Sequence, residues 1–230
     1  MSIRLLVAVV AAFFALPAVA DTIAVIGTGD VAKALGPAFA MQGHTIVYGS
    51  RHPDRDKVRD LVGNSGDDAS ATTPAEAVVG ADIVVLAVPG LMVEEITLGL
   101  GDLSGKIIID PTNPLQRKLN RLEHAVDTSN AEIIQSAAPD AQVVKAFNTL
   151  NWKTMADPSL AGGPVSIPLA GDSDKAKKQV AELVSGMGLE PIDVGSVKDA
   201  RWVEGMLILW INNRYGSMRD SFDFHLRRDK

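Results

Sequence analysis

The 230-residue sequence contains no cysteine. Disulfides, thiolate nucleophiles and cysteine-based metal sites are therefore excluded, and any redox chemistry must depend on a bound cofactor. Aromatic residues make up only 5% of the chain, which argues against a surface that stacks nucleic-acid bases. The formal net charge is −6, so no overall basic field attracts nucleic acid or an anionic membrane. We expect a small-molecule substrate and no nucleic-acid partner.

An uncharged apolar run covers residues 5–16 and follows one positive residue, Arg4. Ala18 and Ala20 then occupy the −3 and −1 positions of a possible cleavage site. This pattern is typical of a secretory signal peptide, and the run is short for a bilayer span. We predict a signal peptide over residues 1–20, a periplasmic or secreted protein, and no membrane contact after cleavage. An uncleaved membrane anchor and the ordinary N-terminus of a cytoplasmic protein are the alternatives.

Short apolar segments alternate with segments of helical periodicity from residue 22 onward. This alternation predicts an α/β fold of the Rossmann type, with a doubly wound, mostly parallel sheet. The predicted strands cover residues 22–26, 45–48, 82–88, 106–110, 142–146, 165–170 and 189–194. The predicted helices cover residues 30–42, 53–62, 93–100, 130–138, 174–187 and 197–215.

The pattern changes after Asn148, where two prolines and two adjacent glycines fall within residues 151–164. We therefore predict a nucleotide-binding Rossmann domain over residues 21–150 and a small C-terminal α/β extension of the same sheet over residues 151–230. Three segments are expected to lack regular structure: residues 115–127, residues 151–164 apart from at most one helical turn, and the charged tail from residue 219.

A glycine-rich turn joins the first predicted strand to the first predicted helix. It matches the pattern G-x-G-x-x-G/A with Gly27, Thr28, Gly29, Asp30, Val31 and Ala32. Gly27 permits the tight turn, Gly29 lets the backbone approach a pyrophosphate, and Ala32 allows close packing of helix and strand. The N-terminus of the helix offers free N–H groups to an anion. We assign the first five residues of the pattern to cofactor binding; the alternative is a glycine-rich turn without a ligand.

The end of the second predicted strand indicates which nucleotide binds. An NAD site has an acid here that accepts a hydrogen bond from the ribose 2′-hydroxyl, but this chain has no acid before Asp54. Ser50, Arg51 and Arg55 instead supply a hydroxyl and two cations that suit a 2′-phosphate. The sequence therefore predicts NADP(H), with a solvated basic start of a helix as the alternative.

Other predicted strands end at the same edge of the sheet, where ligands of open α/β folds bind. Their terminal residues, which we predict to contact the nicotinamide half or shape the pocket of the second substrate, are Ala87, Val88, Pro89, Asn113, Phe147 and Asn148. The alternative for each is a turn satisfied by its own hydrogen bonds. Lys145 is expected to reach solvent, and none of the four histidines is placed as a proton donor. We predict no catalytic side chain and no metal ligand.

Four segments carry a family resemblance: IGTGDVAKALGPAFAMQGHTIVYGSR, DPTNP, VVKAFNT and PIDVGSVKDARWVEGM. Over residues 22–215 the chain resembles the F420-dependent NADP reductases and is similar to the nucleotide domain of the STEAP metalloreductases. The resemblance implies a Rossmann domain that is often dimeric, Thr28 and Asp30 at the turn, and Ser50, Arg51 and Arg55 on the 2′-phosphate of NADPH. It also implies direct hydride transfer between NADP(H) and a stacked flavin or deazaflavin ring, such as F420, FMN or FAD.

We therefore expect an NADPH-dependent oxidoreductase of a flavin-like acceptor. One alternative is an NADP-dependent dehydrogenase of a small organic substrate, which needs a positioned acid–base group. The other is an exported, non-catalytic NADP-binding module or sensor. The apolar stretch 206–211 suits either the core or the seam of a possible homodimer.

Overall fold

The computed structural model describes residues 20–119, 121–215 and 222–228, so almost all of the predicted signal peptide lies outside the described residues. The strands are β1 (Thr22–Ile26), β2 (Thr45–Gly49), β3 (Ser70–Thr72), β4 (Ile83–Leu86), β5 (Ile107–Asp110), β6 (Leu115–Lys118), β7 (Arg121–His124), β8 (Gln142–Lys145), β9 (Ser166–Ala170) and β10 (Glu190–Gly195). The α-helices are α1 (Asp30–Ala40), α2 (Asp56–Gly63), α3 (Pro74–Ala77), α4 (Val93–Leu98), α5 (Asn130–Ala137), α6 (Trp152–Ala156), α7 (Asp174–Gly186) and α8 (Ala200–Tyr215). No helix in these ranges is both long and apolar enough to cross a membrane.

Eight strands form one sheet in the order β10-β9-β8-β5-β4-β1-β2-β3. The six strands from β8 to β3 are parallel to one another. Strand β9 pairs antiparallel with β8 and parallel with β10, so the C-terminal unit extends the sheet in the opposite direction. The predicted Rossmann fold with its C-terminal extension is confirmed. Strand order reverses between β1 and β4, and this is where such sheets bind ligands.

The sheet is buried on both faces because its strands are apolar at successive positions. In β1, Ile23 and Val25 pack with α1 and α7 residues on one face, whereas Ala24 and Ile26 pack with α3, α4 and α5 residues on the other. The apolar stretch of α8 is divided: Leu207 and Trp210 are buried, but Leu209 is exposed.

Two segments predicted to be irregular are ordered, so these predictions were wrong. Within residues 115–127, β6 and β7 form an antiparallel hairpin, with Leu115 opposite His124. The side-chain amide of Asn212 on α8 binds the hairpin through the backbone N–H and C=O of Leu122, at 2.8 and 2.7 Å. The hairpin thus depends on a helix ninety residues away, which its local sequence could not reveal. Within residues 151–164, α6 is followed by a 3₁₀ turn, Pro158–Ala161.

The C-terminal segment 222–228 is not loose, contrary to prediction. The amide of Ser166 at the start of β9 donates to the Phe224 carbonyl at 3.0 Å, and the amide of Leu226 donates to the Ser166 hydroxyl at 2.8 Å. The short strand β3 and helix α3 were also missed, the first because it spans three residues and the second because it spans four.

Candidate functional site

The glycine-rich turn lies between the carboxyl ends of β1 and β4. Gly27 donates its amide hydrogen to the Gly49 carbonyl at 2.9 Å and adopts a φ of +106°. A Cβ atom at Gly27 would lie 2.2 Å from the carbonyl oxygen of Ala87, so only glycine fits. The predicted reason for glycine at this position therefore has a direct steric basis.

The space beside Gly29 is open, since a Cβ atom there would meet no atom within 4 Å. Gly29 is the N-cap of α1 and provides no side-chain hydrogen bond to the helix. The amides of the first helical turn have no acceptor within the helix, and their dipoles point toward this open space. Asp30 is exposed and pairs with Lys33 at 3.7 Å. The cradle fits the pyrophosphate group of a dinucleotide.

The basic cluster at the end of β2 forms a pocket of its own. Ser50 is buried, its amide donates to the Thr72 carbonyl at 2.9 Å, and its hydroxyl accepts from the His52 amide at 3.2 Å. Beyond it, an open cavity of about 390 Å³ is lined by Arg51, His52, Pro53, Asp54 and Arg55. Helix α2 begins after Arg55, later than predicted, so both arginines belong to the loop that surrounds this cavity.

The segment after β4 brings apolar groups to the same edge. Ala87 and Val88 are half-buried, Pro89 is exposed, and the 3₁₀ turn that follows exposes 62% of Leu91 and 40% of Met92. The carbonyl of Gly90 in this turn accepts from the Asn130 side-chain amide at 2.9 Å. This edge therefore presents apolar side chains to solvent next to the predicted nicotinamide position.

Asn113 and Asn148 face each other across this edge. The Nδ2 of Asn148 donates to Asn113 Oδ1 at 3.0 Å and to the Val203 carbonyl at 3.2 Å. Because a carbonyl only accepts, this contact fixes the orientation of the Asn148 amide. Its Oδ1 atom is buried and has no hydrogen-bond partner within the described residues. A buried acceptor of this kind is costly unless a donor reaches it, which marks the position as one where a ligand can bind.

Phe147 contributes differently from its neighbours. Its ring is fully buried and packs edge-on against Phe39 of α1, with ring centroids 6.1 Å apart. Its φ of +64° is unusual for a residue with a side chain and turns the backbone sharply at the end of β8. The ring therefore offers no surface to a ligand, whereas the turned backbone places Asn148 at the edge.

A buried charge network at the carboxyl ends of β5 and β8 was missed. Lys145 has no solvent exposure, contrary to prediction, and its ammonium group lies 2.6 Å from both Asp110 and Glu204. His124, predicted to lie in a polar loop, ends β7 and contacts Glu204 at 2.6 Å. One signal was available, since Asp110 ends one predicted strand and Lys145 is the penultimate residue of the next, and the two carry opposite charges. In the described ranges, no group of three or more histidine and carboxylate side chains is arranged to hold a metal ion.

Several known proteins resemble this chain in sequence and in fold. A sequence profile described as "NADP oxidoreductase coenzyme F420-dependent" matches residues 22–114. The F420-dependent NADP reductase of Methanothermobacter marburgensis is 30% identical over 202 residues, which cover 81% of this chain and 88% of that protein. The crystal structure of a putative F420-dependent NADP reductase from Arthrobacter sp. FB24 superimposes with a TM-score of 0.80 at 32% identity, over 90% of this chain and 99% of that one.

The metalloreductase STEAP3 of Rattus norvegicus is 34% identical over 191 residues. The match covers 83% of this chain but only 37% of the metalloreductase. This chain therefore spans little more than a third of the length of that relative.

Proposed function

Because this chain belongs to the family of coenzyme F420-dependent NADP oxidoreductases, we propose that it transfers a hydride between NADP(H) and a flavin or deazaflavin ring such as F420, FMN or FAD. Membership of this family supports the NADP-dependent oxidoreductase activity, and the flavin-like acceptor ring is the finer part of the proposal. NADP(H), when bound, supplies the hydride at its nicotinamide ring.

The observation that carries the choice of cofactor is the basic cavity at the end of β2. Arg51 and Arg55 line it together with His52, Pro53 and Asp54, and Ser50 directly precedes this loop in the sequence. A ribose 2′-phosphate would gain charge-assisted hydrogen bonds here, whereas a bare 2′-hydroxyl would not. Asp54 also lines the cavity but follows both the strand end and Arg51, so it does not occupy the usual position of the NAD-binding acid.

Several of the other predicted residues suit the remaining parts of the cofactor, whereas the buried ring of Phe147 does not. The turn from Gly27 to Val31 would hold the pyrophosphate, because Gly29 leaves its space open and α1 directs free amides toward it. The orphan Oδ1 of Asn148 suits an N–H donor, and a nicotinamide carboxamide is such a donor. The segment Ala87, Val88 and Pro89 would pack beside the nicotinamide ring.

The proposed acceptor is a flat aromatic ring, because the adjoining surface is apolar. Leu91 and Met92 are exposed at the carboxyl edge, immediately after the strand-end segment that would contact the nicotinamide. Hydride transfer between two stacked rings depends on their proximity and orientation, for which an apolar platform suffices.

The test follows nicotinamide absorbance of the purified protein with NADPH or NADH, with F420, FMN and FAD added in turn. We expect NADPH to be consumed only with an acceptor and much faster than NADH. Arg51→Ala should weaken NADPH binding about 10- to 100-fold, the range expected for lost charged hydrogen bonds, and leave NADH binding unchanged. Arg59→Ala is the matched control, because Arg59 is exposed on α2 and pairs with Asp56 at 3.0 Å.

The results distinguish a reductase of a flavin-like acceptor from a dehydrogenase of a small organic substrate and from a non-catalytic binding module. NADPH binding without turnover of any flavin-like acceptor would favour a different organic substrate or a non-catalytic binding module. Equal binding of NADPH and NADH, unaffected by Arg51→Ala, would overturn the assignment of the basic cavity.

We further propose that the chain is exported and that two copies associate. Mass spectrometry of the protein from cells should find a mature N-terminus at Asp21, whereas an intact Met1 would favour the anchored or cytoplasmic alternatives. Trp202 and Leu209 are exposed on α8 and supply apolar area for a homodimer, which sedimentation of the purified protein would detect.

A further inference from the structure

Three basic side chains surround the cavity at the end of β2, and the proposed 2′-phosphate site uses only the two arginines. The cavity of about 390 Å³ is lined by Arg51, His52 and Arg55, together with Pro53 and Asp54. Within the described residues, neither arginine forms an ion pair, and the ring of His52 has no hydrogen-bond partner. Positive charge is thus concentrated around a space that is open to an anion.

The backbone of His52 is held in place within this loop. Its amide donates to the Ser50 hydroxyl at 3.2 Å, and its carbonyl accepts from the Arg55 amide at 3.4 Å. These two contacts close a tight turn, with Arg51 and Arg55 on either side of His52 in the sequence. The imidazole is exposed and lines the cavity. It is therefore available to the same ligand that the two arginines would bind.

The charges of the cavity do not match those of a phosphate when His52 is neutral. Arg51 and Arg55 contribute two positive charges and Asp54 one negative charge, which leaves one net positive charge. A phosphate monoester carries about −1.5 to −2 charges at pH 7. A proton on His52 supplies the missing positive charge. Because opposite charges at short range favour each other's charged forms, a bound phosphate favours that proton.

The elements around the cavity do not oppose this proton. Helix α2 contributes none of its charged side chains to the described lining, and its Arg59 pairs with an acid of the same helix at 3.0 Å. On α3, hydrogen bonds from Thr72 and Thr73 lower the pKa of Glu76, so this acid is ionised near neutral pH. Its negative charge is compatible with a cationic His52.

We propose that His52 binds the 2′-phosphate of NADP(H) as an imidazolium and takes up a proton from solvent when the cofactor binds. This inference rests on the proposed function, because it assumes that the basic cavity holds the 2′-phosphate. One ring nitrogen gains the hydrogen, the buffer loses it, and no other covalent bond changes. Histidine ordinarily changes its charge between pH 5 and 8, whereas arginine keeps its charge. His52 thus makes the preference for NADP(H) over NAD(H) stronger as pH falls from 8.5 to 7.

The direction of proton movement separates His52 from the phosphate itself. The second ionisation of a phosphate monoester lies near pH 6, so cations around a bound phosphate make it release protons. A histidine beside the same phosphate takes protons up. Aspartate and glutamate side chains ordinarily stay ionised above pH 7. Proton uptake in this range therefore identifies a histidine.

Two substitutions of His52 make the test specific. His52→Gln keeps a polar side chain that does not titrate, and His52→Arg supplies a cation at every pH. Because the side chain is exposed, both variants should unfold at the wild-type temperature without cofactor. His44→Gln is the matched control, because His44 faces the carboxylate of Asp21 at the opposite end of β1.

The first measurement is titration calorimetry of NADPH binding at pH 7.5, in buffers with different heats of ionisation, which counts the protons taken up. We expect the wild-type protein and His44→Gln to take up about half a proton or more per NADPH, and both His52 variants almost none. NADH lacks the phosphate and should bind without uptake. Proton release by the wild-type protein, or uptake that persists in His52→Gln, would overturn the role of His52.

The second measurement is the affinity for NADPH and NADH between pH 7 and 8.5. Wild-type affinity for NADPH should fall about three- to tenfold over this range, as linkage to that uptake requires. His52→Gln should bind NADPH more weakly than wild type at pH 7 and approach it at pH 8.5, whereas His52→Arg should bind tightly at both. Equal wild-type affinity for NADPH and NADH at both pH values would refute the proposed cofactor site. A preference for NADPH that does not vary with pH would refute only the proton on His52 and leave the proposed function standing.

Discussion

The ammonium nitrogen of Lys145 lies 2.6 Å from a carboxylate oxygen of Asp110, and neither side chain is accessible to solvent. The two residues are direct neighbours in the parallel register of β5 and β8. A buried charge is strongly unfavourable unless an opposite charge lies beside it, so Asp110 and Lys145 stabilise each other in the core. The buried carboxylate of Glu204 also depends on Lys145 for its compensating charge. The end of the central sheet is thus held by a charge network rather than by apolar packing.

Lys145→Met should strongly destabilise the protein. It leaves Asp110 and Glu204 buried without their cation, and the loss of one partner of such a pair costs about 3–5 kcal/mol. Urea denaturation of the variant and of Lys178→Met, whose lysine is exposed on α7, measures the difference. A loss below about 1 kcal/mol for Lys145→Met would mean that the carboxylates are protonated or hydrated without it.

Gly27→Ala and Gly29→Ala should separate folding from binding. At Gly27 a methyl group collides with the Ala87 carbonyl at a φ of +106°, so we expect lower stability. At Gly29 the methyl group meets no protein atom and φ is −83°, so the loss of stability should be limited to the poorer N-cap preference of alanine, about 1 kcal/mol. The same methyl group would occupy the proposed pyrophosphate space. We therefore expect Gly29→Ala to weaken NADPH binding at least about tenfold, a loss of about 1.4 kcal/mol, as measured by calorimetry.

Gly36 allows α1 to approach the sheet. A Cβ atom there would lie 1.8 Å from the hydroxyl of Tyr48, whose ring is buried and cannot move aside freely. Gly36→Ala should therefore cost about 1–3 kcal/mol through overpacking, despite the better helix propensity of alanine. Gly205→Ala is the control, since a Cβ atom at that position in α8 meets nothing within 4 Å. It should stabilise the protein by about 0.5–1 kcal/mol, and equal effects of the two changes would contradict the packing argument.

Tyr48 should make stability fall in alkaline solution. Burial raises the pKa of its phenol to about 12 from 10.0, against a smaller opposing effect of the hydrogen bond to Ser65. The folded state then holds a proton that the unfolded state releases, so the contribution of Tyr48 is complete below pH 10 and is lost as pH rises toward 12.

Two pKa units correspond to about 2–3 kcal/mol. Tyr48→Phe loses the 2.6 Å contact with Ser65 and should be about 1 kcal/mol less stable than wild type at pH 8. That gap should shrink or reverse between pH 10 and 12 in urea denaturation. A gap independent of pH would show that the phenol titrates alike in both states.

Much of the fold was predictable because the signals are local. The apolar strands around Gly27 and the helical spacing after Asp30 specify strand, turn and helix without reference to the rest of the chain. The same holds for the positions of Ser50 and Arg51 at a strand end. These residues remain predicted ligand contacts, and the structure places them at one edge of the sheet, as expected for parallel strands.

The segments that escaped prediction depend on distant partners. The polar hairpin of β6 and β7 exists because Asn212 and Glu204 of α8 bind it. The C-terminal segment is ordered because it adds hydrogen bonds to Ser166 at the edge of the sheet. These partners are 60 to 90 residues away in the sequence. Hydrophobic periodicity and turn propensity depend only on nearby residues, so they could not reveal these contacts.

The sequence by itself determined the Rossmann architecture, the glycine-rich turn and the basic strand end, because each follows from steric and electrostatic properties of adjacent residues. Only the tertiary structure decided that Lys145 is buried and that His124 faces Glu204. A charged side chain considered by itself is predicted to lie in solvent. It can be buried only where opposite charges and hydrogen-bond partners replace its hydration, and here those partners come from β5, β7, β8 and α8. For that reason the network at the carboxyl edge could be found only after the chain was folded.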